Sequence, residues 1–272
     1  MSTVLGKTIS SQTIVLPETG VSLKLDWAAL SHLGLVRKVN EDSLLANLPV
    51  FSVCDGMGGH ASGDVASQIV VTELAELMGQ QSTNPKEIYH ALVRAEEKVD
   101  ALTGEAELAG AGTTVTGIAL SLEAEVPHWY IFNIGDSRVY RFFDDELKQV
   151  TIDHSLVQEM VDNGFLSADE AEDHPDNNVI TRAIGFHGDP LPDGWKTPVQ
   201  QGERYLLCSD GLSKELSLTE IEMILREESS AESAALRLQD SALAKNGRDN
   251  ITVIVLDTLE LEIGVVQSAD QA

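Results

Sequence analysis

Three apolar runs in this chain stop on an aspartate with a glycine at its side, and that recurrence restricts the fold more than any other feature. Residues 51–56 read FSVCDG, residues 205–211 read YLLCSDG, and residues 129–136 read WYIFNIGD. Short runs rich in β-branched and aromatic residues, bounded by turn residues, are buried strands. A fourth acid, Asp249 in GRDNITVIVL, opens such a run instead of closing one. In an antiparallel sheet the start of one strand lies beside the end of its neighbour. Asp55, Asp136, Asp210 and Asp249 are therefore expected at one end of the sheets.

Four carboxylates in one place cannot all stay ionised unaided, because like charges force protons onto some of them. A divalent cation resolves the conflict. The donors are hard oxygens and no Cys/His spacing suits zinc, so Mg²⁺ or Mn²⁺ is the expected guest. A single Asp-Gly pair is an ordinary turn. Four such acids, with RKVNED (residues 37–42) upstream, are not accounted for by turns alone. No D-x-D-x-D-G loop with a distal Glu supports an EF-hand. GMGGHASG (residues 56–63) has neither the G-K-[ST] of a P-loop nor the spacing of a dinucleotide fingerprint.

The remainder of the 272 residues reads as one domain whose strands dominate both ends, a β-sandwich with helices packed outside. Residues 1–20 are polar and read as a tail, 21–260 as the domain and 261–272 as a second tail. GVSLKLDWAALSHLG is a first strand, and LLANLPVFSVCD a hairpin turning at Asn47 to Pro49. GDVASQIVVTELAELMG has helical spacing. NPKEIYHALVRAEEKVDALTG is the clearest helix, with Asn84 as cap and Ile88, Ala91, Ala95, Val99 and Leu102 on one face. Two further strands, TTVTGIALSL and HWYIFNIGD, precede a hairpin at Asp144-Asp145. A short helix from Ser155 and a capping box at Ser167 with Glu170 follow. After the ERYLLCSDG strand come helices near 218–228 and 230–245, then a last strand.

A formal net charge of -26 argues against nucleic acid as a partner, since phosphate backbones need clustered Lys and Arg. No apolar run approaches the ~20 residues of a membrane helix and no secretory signal is legible, so a cytoplasmic location is expected. Cys54 and Cys208 end apolar runs and read as small buried hydrophobes.

The ordered set RKVNED, VCDGMGGHASGD, GTT, NIGDSRVY, DHS, CSDGL and RDNITVIV resembles the metal-dependent serine/threonine protein phosphatases of the PPM, or PP2C, family, in its bacterial branch. The match runs from about Asp26 to Leu256. The resemblance implies an α+β fold, a four-layer αββα sandwich of two antiparallel β-sheets flanked by helix pairs, in agreement with the strand and helix order above.

The resemblance also implies roles. Asp55 would bridge two metal ions, the Gly56 carbonyl would bind one, and Asp210 and Asp249 would hold the other. Glu41 and Asp42 would act through waters or behind the ligands. Asp136, with Asp210, would hold a third, looser ion, and Arg37 would grip the substrate phosphate. A metal-bridged hydroxide would then hydrolyse phosphoserine or phosphothreonine in protein substrates, with the chain acting as a monomer. Many eukaryotic relatives carry a histidine directly after the Asp-Gly pair, where this chain has Met57. The general acid is then His60 or a metal-bound water. Thr113 and Thr114 read as β-branched strand residues, with a hydrogen bond to a metal ligand as the alternative, Ser137 and Arg138 as orienting Asp136 and the turn, and Asp153 and His154 as fixing a loop. Residues 165–190 correspond to a flap expected to select substrates. Two other functions use the same motifs: hydrolysis of small phosphate esters, and a silent phosphoprotein-binding regulator.

Overall fold

The computed structural model describes residues 8–16, 19–58, 62–103, 110–167, 170–171 and 174–263. Thirteen strands lie among them. Six form one sheet in the order β1 (Thr8–Val15), β2 (Val21–His32), β13 (Ile251–Ile263), β12 (Arg204–Cys208), β9 (Arg138–Phe143) and β10 (Glu146–Gln149). Five form a second in the order β11 (Asp193–Pro198), β8 (Val126–Ile134), β7 (Val115–Glu123), β4 (Val50–Cys54) and β3 (Ser43–Asn47). A small ladder pairs β5 (Gly56–Met57) with β6 (Gly112–Thr113). Neighbouring strands in both large sheets are antiparallel.

The period of two along each strand sorts side chains between three cores. Leu23, Leu25 and Trp27 of β2, Phe51 and Val53 of β4, Trp129 and Ile131 of β8, Tyr205 and Leu207 of β12, and Ile254 and Leu256 of β13 meet between the sheets. The alternate residues face outwards. Val50, Cys54, Ala119, Phe132 and Ile134 lie under helices α1 (Gly63–Ala75) and α2 (Pro85–Thr103). Leu206, Cys208, Val253 and Val255 lie under α5 (Leu218–Glu227) and α6 (Ala231–Lys245), with the one-turn α4 (Asp210–Ser213) beside them. The result is the helix–sheet–sheet–helix sandwich, and both cysteines are free and buried against helices.

Local chemistry sets the element ends. Asn84 Oδ1 accepts from the Lys86 and Glu87 amides at the start of α2. Ser155 caps α3 (Leu156–Asp162), and Ser217 and Glu220 close a capping box on α5. Asp144 and Asp145 turn the β9–β10 hairpin with φ of 52° and 59°. The α2 face expected from sequence is buried at Ile88, Ala91, Ala95 and Val99, while Leu102 is half-buried.

Three parts of the sequence reading need correction. Residues 8–15, expected in a loose tail, form edge strand β1 and pair with β2 from Thr8↔Ala29 to Val15↔Ser22. The segment is polar because it is an edge with most side chains exposed, and Ile14 and Leu16 supply the buried contacts. The final strand runs to Ile263, past the expected boundary at 260, because its far end pairs with the start of β2. Residues 193–198, to which the sequence reading assigns no strand, are edge strand β11 on β8. Among the described residues no helix is long and apolar enough to cross a membrane.

Candidate active site

The strand ends meet as the antiparallel pairing requires. Ser43 pairs with Cys54, so Asp42 and Asp55 leave the β3/β4 edge together. Cys208 pairs with Val253, which sets Ser209 and Asp210 beside Asp249 and Asn250. Val115 pairs with Ile134, which sets Thr114 beside the Gly135–Asp136 turn. Two sheets thus deliver acids to one end of the sandwich from four separate stretches of chain.

The acids act on one another. Burial first, then the charges of Asp42, Asp210, Asp136 and Asp249, push the Asp55 carboxyl well above the usual carboxylate range. Asp42 is pushed up to about 7 by burial, against hydrogen bonds from Thr252 and Ser209, with Asp210 and Asp249 adding to the rise. Asp136 is also pushed up to about 7, by burial and then Asp210, with Lys214 opposing. Asp42 Oδ1 and Asp136 Oδ1 are buried without a hydrogen-bond partner. Burial likewise raises Glu41, whose carboxylate accepts the Gly63 amide at the start of α1.

Two cations take up part of this charge. Arg37 Nη2 donates to Asp249 Oδ2 at 2.5 Å and lies within electrostatic reach of Asp55 and Glu41. Lys214 Nζ donates to Asp210 Oδ2 at 2.5 Å and stands 3.7 Å from Asp136 Oδ2. Burial works against the Lys214 charge, but Asp210 and Asp136 raise its pKa overall. Among the described residues no three His, Cys, Asp or Glu side chains are arranged, as they stand, to hold a metal ion. Asp249 and Asp210 are instead bonded to Arg37 and Lys214. The donor chemistry nevertheless fits a hard divalent cation: oxygen ligands, two orphaned buried carboxylate oxygens, and an Asp55 carboxyl whose pKa burial and its acidic neighbours raise.

The backbone that carries the acids is closely packed. A Cβ on Gly56 would lie 2.1 Å from the Gly63 carbonyl oxygen and 2.6 Å from that of Glu41. One on Gly211 would lie 2.0 Å from the Asn250 carbonyl oxygen. The glycines beside Asp55 and Asp210 are therefore required where main chains cross. Asn250 completes the crossing. Its Oδ1 accepts the Glu41 amide at 2.9 Å, and its Nδ2 donates to the carbonyls of Leu33 and Val39. That ties the loop bearing Arg37 and Glu41 to the start of β13.

Asp55 is held through its main chain by strand residues, in the supporting role that the sequence offered for Thr113 and Thr114 as the alternative. The Thr114 hydroxyl accepts the Asp55 amide at 3.0 Å and pairs with Ser137 Oγ at 2.9 Å. The Thr113 hydroxyl and the Thr114 amide both donate to the Asp55 carbonyl at 2.9 Å. Ser137 thus reaches Asp55 through Thr114, linking the Asp136 turn to the Asp55 turn. Arg138 grips Asp153 with three contacts between 2.7 and 3.1 Å. His154 Nδ1 accepts the Gly135 amide at 3.0 Å, and its Nε2 lies 3.0 Å from Arg182 Nη1 and 3.3 Å from Asp193 Oδ2. Burial and then the Arg182 charge lower the His154 pKa, against Asp193 and Asp153. His154 and Asp153 therefore shape the turn beneath Asp136.

His60 lies outside the described residues, as do residues 168–169 and 172–173 of the flap. The described part of the flap joins the body through bridges at Ser155↔Ile180 and Thr113↔Ile184. A cavity of about 270 Å³ beneath it, lined by Ile134, Arg182, Phe186 and Asp189, includes none of the acids above. Arg182 is occupied there by Asp193, at 2.7 Å. Lys214 is the site residue that sequence reasoning missed; its signal is the i, i+4 spacing from Asp210 on a single helical turn.

A family model for protein phosphatase 2C matches residues 37–251. The serine/threonine protein phosphatase PstP of Mycobacterium tuberculosis is 41% identical over 250 residues, which cover 91% of this chain and 48% of that protein. The serine/threonine phosphatase stp of Listeria welshimeri is 35% identical over 236 residues, covering 82% of this chain and 92% of that protein. The chain thus spans about half the length of the mycobacterial relative and nearly all of the Listeria one. A solved structure of the PstP catalytic domain in complex with two manganese ions superposes with a TM-score of 0.78 at 38% identity, covering 87% of this chain and 99% of that one. The chain belongs to the protein phosphatase 2C family, alongside these bacterial serine/threonine phosphatases.

Proposed function

We propose that this chain hydrolyses phosphoserine and phosphothreonine in proteins with the help of two divalent cations, Mg²⁺ or Mn²⁺. The observation that carries the proposal is the convergence of Asp42, Asp55, Asp136, Asp210 and Asp249 on one end of the sandwich, each of the other four raising the Asp55 pKa. Concentrated negative charge of this kind opposes folding unless cations offset it. The PstP catalytic domain, of the same fold, is solved with two manganese ions.

In this reading Asp55, the Gly56 carbonyl, Asp210 and Asp249 would hold the ions, and Glu41 and Asp42 would act through waters or behind these ligands. When bound, the ions lower the pKa of a water towards neutrality and offset charge on the phosphoryl oxygens. The chain's own contribution is position. Thr113, Thr114 and Ser137 fix the Asp55 main chain, and Asn250 fixes the loop carrying Arg37. Arg37 is exposed and bonded to Asp249 through one nitrogen, which leaves its planar fork able to pair with phosphate oxygens. The leaving alkoxide takes its proton from His60 or from water. The flap selects among phosphoproteins.

The test is turnover of a phosphothreonine peptide and of a small aryl phosphate, with Mn²⁺ and with chelator. Turnover of both with Mn²⁺ and of neither with chelator is expected, with the peptide showing the higher kcat/KM. Turnover of the aryl phosphate alone would identify a small-ester hydrolase. Metal-independent turnover, or none at all, would contradict the proposal.

A further inference from the structure

Lys214 holds a position that the acid cluster would otherwise offer to a cation. It follows the one-turn helix α4, so its side chain returns over the first residue, Asp210. Its ammonium has three oxygen neighbours from three parts of the chain: Asp210 Oδ2 at 2.5 Å, Asp136 Oδ2 at 3.7 Å and Asn178 Oδ1 at 2.6 Å. The first two are acids that two separate sheet strands deliver to the site. The third belongs to the flap, which Ser155↔Ile180 anchors two residues further on.

We propose that Lys214 is an internal counter-cation that fills the Asp136–Asp210 position, limits the centre to two divalent ions and latches the flap to it. The inference rests on the two-ion reading above. An ammonium is compact, has three donors and presents them at tetrahedral angles. It can therefore bridge two carboxylates and an amide oxygen as an ion would. A divalent cation drawn to the same carboxylate oxygens would meet a like charge at close range and would lose Asp210 Oδ2 as a free donor. Asp210 would then keep its other oxygen for the ion it shares with Asp249. Lys214 acts through Asp210, Asp136 and Asn178, which makes it a positioning residue.

The experiment counts manganese ions bound per chain by electron paramagnetic resonance and equilibrium dialysis at millimolar Mn²⁺. The full chain is compared with Lys214→Met, Lys214→Gln and Lys214→Arg. Two ions are expected for the wild type and for Lys214→Arg. Three are expected for Lys214→Met and Lys214→Gln, falling back to two when Asp136→Asn is added. Limited proteolysis within 174–190 should also be faster in the Met and Gln variants, because the Asn178 contact is lost. A wild-type count of three overturns the inference alone, whether or not the variants fold. So does a count of two in both neutral variants. A wild-type count of zero defeats the two-ion reading and this inference with it.

Discussion

The adjacent strands β12 and β13 carry acids at both ends, and the two ends are opposites. At the start of β12, Arg204 meets Asp257 of β13 through two bonds of 2.6 and 2.7 Å, and its Nη1 donates to the carbonyls of Leu225 and Glu228 at the close of α5. Every charge there has a partner. At the other end of the same strands, Asp210 and Asp249 join Asp42, Asp55 and Asp136, and two buried carboxylate oxygens have no partner. Both ends contain acids and bases, more deeply buried at Arg204 and Asp257 than at Asp210 and Asp249. What separates them is whether positive charge from the chain matches the negative charge. The matched end locks a helix onto a sheet, and the unmatched end remains available to cations from solution.

The largest effect that could break this contrast is at Asp55. Asp55→Ala should abolish turnover of a phosphopeptide, yet the variant should melt no lower than wild type in chelator, because one of several repelling charges has gone. Measurable turnover, or a chelator Tm well below wild type, would mean that the acid has a structural part. At the matched end the opposite is expected. Arg204→Ala leaves Asp257 buried and unpaired and should cost about 3–5 kcal/mol in denaturant unfolding. The variant's kcat at a temperature where it is folded should stay close to wild type.

Acidity sharpens the contrast further. Asp42 and Asp136 are both raised to about 7 in the folded chain. A carboxyl with a raised folded pKa binds more protons folded than unfolded, so its stabilising effect is present at low pH and is lost as pH rises from about 4 through 7. The Tm in chelator should therefore fall by several degrees between pH 5.5 and 7.5. Saturating Mn²⁺ should flatten that slope. A chelator profile that rises over the same interval would show that the acids are satisfied within the protein.

The smallest expected effect lies far from either end. Ser217→Ala opens the α5 capping box and should cost about 1 kcal/mol, read by denaturant unfolding. Activity should be unchanged.

Much of the architecture was legible because strand period and apolar content agree wherever a strand is buried on both faces, as in FSVC, YLLC and WYIF. The edges were not. The segment TISSQTIV exposes most of its side chains, and DGWKTP carries a glycine and a proline that an edge strand tolerates, so neither shows a buried pattern. The acids of the site were legible one by one because each ends or begins an apolar run. Their supports were not. The Thr114–Ser137 bond joins residues 23 apart in sequence, and Asn250 reaches across 209 residues to Glu41. Such contacts depend on register, which no local pattern encodes. Gly56 and Gly211 are required where one backbone crosses another, a demand that no local pattern shows. Lys214 went unread for a related reason, since its partners Asp136 and Asn178 arrive only once both sheets and the flap have assembled.

The most direct test of the metal centre is anomalous diffraction from crystals soaked in manganese. Two strong peaks are expected, flanking the Asp55 carboxylate, one beside the Gly56 carbonyl and the other beside Asp210 and Asp249. A map with no peak there, or with these side chains turned away from one another, would contradict the assignment.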